Sequence, residues 1–341
     1  MSHLAAVVSA PKAPLELQEI ETPQPGPDEL LIKNEIIALM PIDAKIARFA
    51  MLPIEYPAVL GSSFAGTVIG VGAEVTGFDV GDKVVAVKTA GTIGNKYSAF
   101  QRHAVCRALT ATKLPSDAAL DTAVRLVGNL ATVSALFNAN LNLARPGPGI
   151  SAQLQGKRIL IYGGTSSVGS LSVQYLTQAG YDVITTTSPR HEAFVSHLGA
   201  SRVIDHTQPF ETTVKELVAA GAYDIVVDTI SNSETTKIMG EVLAAQGGGK
   251  IYALQPAFGP EILPAGVTRN FESWSLLLGK EEHAKLLEWT FGTYFPQALA
   301  QESLVPVPAR KIPGGLAGLD HALDVLIRGV SSEKLIVDPW E

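Results

Sequence analysis

The sequence predicts an α/β protein in two parts, a β-rich region and a doubly wound region with a parallel sheet. Three observations carry this. The chain has 341 residues, which suits two domains at roughly 100–200 residues each. Short β-branched runs separated by Gly, Pro and Asp fill the first part: Glu29 to Ile37, Phe64 to Val71 and Lys83 to Val87. From Arg158 to about Leu254 apolar strands alternate with amphipathic helices, the pattern of a parallel sheet covered on both faces.

Taken in order, Leu120 to Asn140 reads as a helix, and the Pro/Gly segment Arg145 to Gly149 as a surface loop. Strands are expected at Arg158 to Tyr162, Asp182 to Thr187, Ser201 to Ile204, Asp224 to Asp228 and Lys250 to Leu254. Helices centre on Ser170 to Gln178, Arg190 to Leu198, Thr212 to Ala220 and Glu234 to Ala244. Glu281 to Ala300 reads as one further helix, and the tail holds a helix, Gly318 to Arg328, and a strand, Lys334 to Val337. Tails of this kind often fold back onto the N-terminal domain.

Composition narrows the function. Charged residues make up 17% of the chain and apolar ones 46%, which excludes a disordered acidic chain. The formal charge is −7, with no basic run, which argues against nucleic-acid binding. The single cysteine, Cys106, forbids an internal disulfide and a structural zinc site. The start does not read as a signal peptide, and no uninterrupted apolar stretch approaches the roughly 18 residues needed to span a bilayer. A reducing cytoplasmic location, with no membrane partner, is the expectation.

The strongest motif is ILIYGGTSSVGS at 159–170, a buried strand, a Gly/Ser turn and a helix start. Amides at a helix N-terminus point at phosphates, and the helix dipole favours negative charge. Against the G-x-G-x-x-G fingerprint the turn reads Gly164-Thr165-Ser166-Ser167-Val168-Gly169, preceded by Gly163. Ser166 replaces the middle glycine, and its hydroxyl is able to donate to a phosphate oxygen. An ordinary strand-to-helix turn is the bland alternative; the flanking βαβ pattern favours the nucleotide. NAD sites usually end the second strand with an acid on the ribose 2′-hydroxyl. Here that strand runs VITTTSPRH at 183–191, with Ser188 and Arg190 in place of an acid. A hydroxyl and a guanidinium bind a 2′-phosphate that a carboxylate would repel, so NADP(H) is favoured.

These residues, with YPAVLGSSFAG at 56–66, Val71-Gly72 and FDVGDKV at 78–84, resemble the medium-chain dehydrogenase/reductase superfamily over essentially the whole chain. The resemblance implies a GroES-like β-rich domain over 1–125 and 301–341, and a Rossmann dinucleotide-binding domain over 126–300. Zinc-dependent members carry a catalytic Cys and a Gly-His-Glu motif where this chain has Met40 and Gly61-Ser62-Ser63. The seven histidines also lack metal-ligand spacing, so no bound metal is expected.

The chain is more similar to zinc-independent quinone oxidoreductases and to fungal enoyl reductases, including those acting in trans on polyketide synthases in secondary metabolism. That resemblance matches Asn-Pro-x-Asp-x-Lys to Met40-Pro41-Ile42-Asp43-Ala44-Lys45, and a Gly-rich Thr to Thr132 in GNLATVS at 128–134. It places Ser188-Pro189-Arg190 at the 2′-phosphate and His206 near the adenosine phosphate. Thr229, Ile230, Leu254 and Gln255, at the ends of the fourth and fifth strands, then lie by the nicotinamide. The implied activity is NADPH-dependent reduction of an activated C=C bond in a small-molecule or carrier-bound enoyl, enone or quinone-type substrate. Lys45 and Thr132 are the candidate catalytic donors, with Met40 shaping an apolar pocket; Tyr97 and His103 are weaker candidates for a proton relay. A non-redox isomerase and an NADP(H)-binding partner protein remain the alternatives, and the chain is expected as a monomer or homodimer.

Overall fold

Burial along residues 29–38 shows how the first part is built, because nearly every residue of this long strand is covered. A computed structural model describes residues 1–89, 91–147 and 155–341. Pro148 and Gly149 of the expected Arg145–Gly149 loop lie outside the described residues. The chain runs β1 (Ser2–Val8), β2 (Leu15–Glu21), β3 (Glu29–Ala38), α1 (Pro41–Phe49), β4 (Ala58–Val59), β5 (Ser63–Val71), β6 (Lys83–Val87), β7 (His103–Arg107), β8 (Ala111–Lys113) and α2 (Leu120–Ser134). It continues with β9 (Arg158–Tyr162), α3 (Ser167–Gln178), β10 (Asp182–Thr187), α4 (Glu192–His197), β11 (Arg202–Asp205), α5 (Phe210–Ala219), β12 (Ile225–Asp228), α6 (Ser233–Ala245), β13 (Gly249–Ala253) and β14 (Val267–Phe271). It closes with α7 (Ala284–Trp289), α8 (Phe295–Ala300), β15 (Ala309–Lys311), α9 (Leu319–Arg328) and β16 (Lys334–Val337).

Contacts divide the chain into two compact units, Met1–Ala131 with Leu278–Glu341, and Thr132–Leu277. The first holds a three-stranded sheet, β2-β1-β4, and a seven-stranded sheet in which β15-β16-β3-β5-β6-β8 are joined by β7 on β3. Its core gathers Leu30, Ile32, Phe64 and Phe100 with Leu319, Leu323, Leu335 and Val337 from the tail. The tail does return to the N-terminal region: β16 pairs antiparallel with β3, Ile336 opposite Ala38 and Val337 opposite Ile37.

The second unit is a six-stranded parallel sheet in the order β11-β10-β9-β12-β13-β14. Leu160 and Tyr162 of β9 pack with Leu217 of α5 and Met239 of α6. Their neighbours Ile159 and Ile161, on the opposite face by strand alternation, are equally buried. The chain winds outward from β9 through β10 and β11, then restarts beside β9 at β12. In open sheets of this kind ligands bind at such a reversal, outside the carboxyl ends of the strands.

Three expectations need correction. Glu281 to Ala300 is helical throughout but not uniformly α: it opens with a 3₁₀ turn at Glu281–His283, and a π-wound stretch at Thr290–Tyr294 lies between α7 and α8. Pro296, lacking an N–H, sits in the first turn of α8, where that loss is tolerated. The Leu120–Asn140 helix is α-helical only to Ser134 and π-wound over Ala135–Asn140. It is long and apolar enough to cross a membrane by composition, yet most of it is buried within the protein. The helix expected from Arg190 begins at Glu192, because Pro189–His191 forms a 3₁₀ turn.

Candidate active site

Within the second unit, the turn after β9 is held open by what its glycines allow. Gly163 has φ +90, and a Cβ there would stand 2.8 Å from Thr229 Oγ1 and from the Ile230 side chain. At Gly169 a Cβ would come 2.2 Å from the Gly163 carbonyl oxygen, so only glycine lets α3 start this close to β9. Ser166 is the N-cap of α3, its Oγ accepting from the Gly169 N–H at 2.9 Å. It also shares a 2.9 Å hydrogen bond with Thr229 Oγ1, which itself bonds the Tyr162 carbonyl at 2.7 Å. The middle position of the fingerprint is therefore a helix cap braced against β12, and its hydroxyl is already engaged within the protein. Thr165, Ser167 and Val168 complete the turn and open α3.

The neighbouring strand ends are tied to this turn. Thr186 Oγ1 accepts from the Gly163 N–H at 2.9 Å. Asp228, fully buried, accepts from the N–H groups of Ile230 and Ser231 and from Thr235 Oγ1 at 3.0, 2.7 and 2.6 Å. Burial pushes its carboxyl above the usual range, and the three bonds pull the other way. Ser231 Oγ accepts from Leu254 N–H at 2.8 Å, and Gln255 Nε2 donates to the Ile230 carbonyl at 2.5 Å. The structure thus brings Thr229, Ile230, Leu254 and Gln255 together across the ends of β12 and β13.

At the end of β10, Ser188 is half-buried and Arg190 exposed. Two buried polar atoms beside them, Thr187 Oγ1 and His191 Nε2, have no hydrogen-bond partner among the described residues. Burial, then the Arg190 charge, lowers the His191 pKa. His206 follows β11; its N–H donates to the Thr187 carbonyl at 3.2 Å, and its ring lies 6.0 Å from that of Tyr162. A glycine turn, a twelve-residue helix start and unsatisfied polar atoms near a guanidinium fit a phosphorylated dinucleotide.

In the first unit, Met40 precedes α1 and donates its N–H to Asp43 Oδ2 at 2.7 Å. Asp43 is buried, and burial raises its pKa to about 7 against the lowering effect of the Met40 bond and of Lys334 and Lys88. Lys334 is buried as well; loss of water lowers its pKa to about 8, countered by Asp43. Its Nζ donates to Met40 Sδ at 2.9 Å. Lys88, depressed by burial, donates to Ser98 Oγ at 3.0 Å. Lys45, two residues beyond Asp43 on α1, is half-buried, and its pKa too is lowered by burial.

Thr132 is half-buried in α2 and belongs to the other unit. Tyr97 and His103 are drawn into other contacts. The Tyr97 hydroxyl donates to Glu29, and His103 packs edge-on to His3 and Trp340.

Sequence reasoning missed Lys88 and Lys334. The signal for Lys334 was a lysine opening the all-apolar strand KLIV at 334–337, where burial of the whole strand buries the charge. Among the described residues no group of three or more His, Cys, Asp and Glu is placed to hold a metal. The atoms at the position in question are the thioether of Met40 and the hydroxyl of Ser63, with Lys334 close by. A Cβ on Gly128 would come within 2.3 Å of Ser63 Oγ and 3.1 Å of Met40 Sδ. A thioether and a neutral hydroxyl beside an ammonium are not a zinc donor set.

Residues 26–122 match the family described as "Alcohol dehydrogenase GroES-like domain" and residues 167–271 the one described as "Zinc-binding dehydrogenase". The chain is 31% identical to trans-enoyl reductase himH of Aspergillus japonicus over 320 residues, covering 91% of this chain and 89% of that protein. It is 31% identical to dehydrogenase azaJ of Aspergillus niger over 350 residues, covering 98% and 99%. Among solved structures, an alcohol dehydrogenase superfamily protein from Novosphingobium aromaticivorans is 26% identical with a TM-score of 0.76, covering 98% and 99%. A mycobacterial protein solved in complex with NADPH shares the fold at 23% identity and a TM-score of 0.76, covering 99% and 100%. With its GroES-like and Rossmann-type sheets, the chain belongs to the medium-chain dehydrogenase/reductase family.

Proposed function

We propose that this protein is an NADPH-dependent, zinc-independent reductase of activated C=C bonds, acting on enoyl, enone or quinone-type substrates, free or carrier-bound. The observation that carries it is the end of β10. Ser188 and Arg190 follow the strand at the position where NAD sites carry an acid, and among the described residues Thr187 Oγ1 and His191 Nε2 beside them have no hydrogen-bond partner. Full-length likeness to proteins named trans-enoyl reductases supports the substrate class; a polyketide synthase as partner and a place in secondary metabolism are part of the proposal. The nucleotide is assigned to residues 126–300 and the substrate to 1–125 with 301–341. A reducing cytoplasm, and a monomer or homodimer, belong to the same reading.

The pyrophosphate is assigned to Gly163, Gly164, Thr165, Ser166, Ser167, Val168 and Gly169, and the 2′-phosphate to Ser188 and Arg190. His206 is assigned to the adenosine side, and Thr229, Ile230, Leu254 and Gln255 to the nicotinamide side. When bound, the reduced nicotinamide supplies a hydride to the substrate carbon. The protein's own task is to stabilise the negative charge that develops on the conjugated carbonyl oxygen and to deliver a proton. Lys45, whose ammonium burial has weakened, and the Thr132 hydroxyl are assigned as donors, and the Met40 side chain bounds the pocket.

The test follows nicotinamide absorbance with purified protein, NADPH and a panel of an enoyl thioester, a cyclic enone and a benzoquinone. Oxidation matched by reduced product is expected, undiminished by a chelator and with negligible zinc by elemental analysis. Failure to bind NADPH overturns the reading; substrate conversion without a change in absorbance replaces it with an isomerase.

A further inference from the structure

A fully buried lysine needs a reason, because an apolar residue of similar volume would hold the core at lower cost. Lys334 opens β16 and is 4% exposed, packed below Met40. Its ammonium has three N–H donors, and its one hydrogen bond among the described residues is to a thioether, a weak acceptor. Asp43 contributes charge without a direct ion pair, since its Oδ2 is turned to the Met40 N–H.

A second group in the same place is also unsatisfied. Ser63 Oγ is buried, with no hydrogen-bond partner among the described residues. It and Met40 Sδ crowd the one point that a Cβ on Gly128 would fill, at 2.3 and 3.1 Å. Two buried donors, an ammonium and a hydroxyl, therefore flank the Met40 sulfur without a proper acceptor. Buried donors of this kind are costly unless something supplies the missing oxygen. Methionine, unbranched with three rotatable bonds, is a cover that an incoming group displaces easily.

We propose that the Lys334 ammonium, with the Ser63 hydroxyl beside it, is an oxyanion site that binds the substrate's carbonyl oxygen as negative charge builds there. This rests on the reductase reading above. In the step, hydride from NADPH forms a C–H bond at the β-carbon, oxidising the nicotinamide. The C=C π pair moves toward the carbonyl, and its oxygen becomes enolate-like. Lys334 keeps its proton and stabilises that oxygen through N–H and charge; the α-carbon then takes a proton from the donors assigned above, Lys45 or Thr132, which solvent reprotonates, completing a two-electron reduction. Lys334 is thus a catalytic residue that supplies, from the protein itself, the positive charge a metal ion would bring.

The experiment compares wild type, Lys334→Met and Ser63→Ala, all as the full chain, with circular dichroism as the check on folding. The first readout is independent of turnover: 4-nitrophenol serves as an oxyanion probe, its ionised and neutral forms distinguished by absorbance. Wild type is expected to prefer the phenolate by about 10-fold, with Lys334→Met abolishing the preference and Ser63→Ala weakening it about threefold. The second readout is enone reduction, where Lys334→Met is expected to lower kcat by about 100-fold. Its NADPH Kd should stay within about threefold of wild type.

The proposal is overturned if wild type shows no preference for the phenolate, or if Lys334→Met keeps it. It is also overturned if Lys334→Met weakens NADPH binding while kcat holds, which would make Lys334 a cofactor contact. Should Lys334→Met fail to fold, an undiminished preference in Ser63→Ala overturns the paired site, and the expected loss there upholds it. A wild type that prefers the phenolate but never consumes NADPH refutes the reductase reading and leaves the oxyanion site standing.

Discussion

At the end of β9, polarity is supplied by backbone amides and by the hydroxyls of Ser166, Thr186 and Thr229, all held in a web of hydrogen bonds. Under Met40 it is supplied by ionisable groups, Asp43, Lys88 and Lys334, which burial has pushed toward their neutral forms. The first region keeps its electrostatics at any ordinary pH, because peptide dipoles do not titrate. The second is responsive, and its charge depends on a balance between one carboxylate and two amines. A polar surface of fixed charge and one whose charge titrates are thus built from different materials in one chain.

Breaking the fixed region should have the largest effect. Gly169→Val places atoms against the Gly163 carbonyl, where a Cβ already lies at 2.2 Å. Overpacking of this severity should cost about 3 kcal/mol and abolish NADPH binding, read by denaturant melts and by fluorescence titration. Next is Arg190→Ala, which should weaken NADPH binding about 20-fold and leave NADH unchanged. Equal NADPH affinity for this variant and wild type would refute the 2′-phosphate assignment.

The responsive region is probed by Asp43→Asn. The folded chain holds the Asp43 proton up to about pH 7, whereas the unfolded chain releases it near 3.8. Between those values the folded state binds more protons, so stability falls as pH rises through the window. Asn should flatten that stretch of the stability profile by roughly 1.5 kcal/mol, measured by melts across the range. Smallest is Ser166→Ala, which loses the α3 cap and should cost about 1 kcal/mol, with little change in NADPH affinity. A large loss of affinity there would mean that the hydroxyl contacts phosphate as well as capping the helix.

The two regions also differed in how far the sequence revealed them. The β9 turn is local: strand, glycines and helix start lie within residues 158–170, and β9 and β10 fall where periodicity puts them. Strand β14 escaped notice because Val267-Thr-Arg-Asn-Phe271 carries polar residues at its centre and pairs only on one side. The change of winding within residues 281–300 left no mark on the pattern because the chain stays helical through the π-wound stretch. The Met40 pocket draws on residues 40, 43, 63, 88, 128 and 334, which only the completed sheet brings together. Met40, Asp43 and Ser63 stood out as motif positions; nothing local linked them to a lysine almost three hundred residues away.

The pairing of β16 on β3 has a consequence for how this protein is made. One edge of β3 is shared: β7 covers Glu29 to Lys33, and β16 covers Ile37 and Ala38. During synthesis the contiguous Thr132–Leu277 unit has emerged whole, and is free to fold as a unit, before β16 has been translated. Until then the apolar Ile37–Ala38 edge waits without its neighbour, the kind of bare edge that invites pairing between chains. A ribosome that stops short of Lys334 would therefore release a nascent chain that lacks β16 and is prone to aggregate.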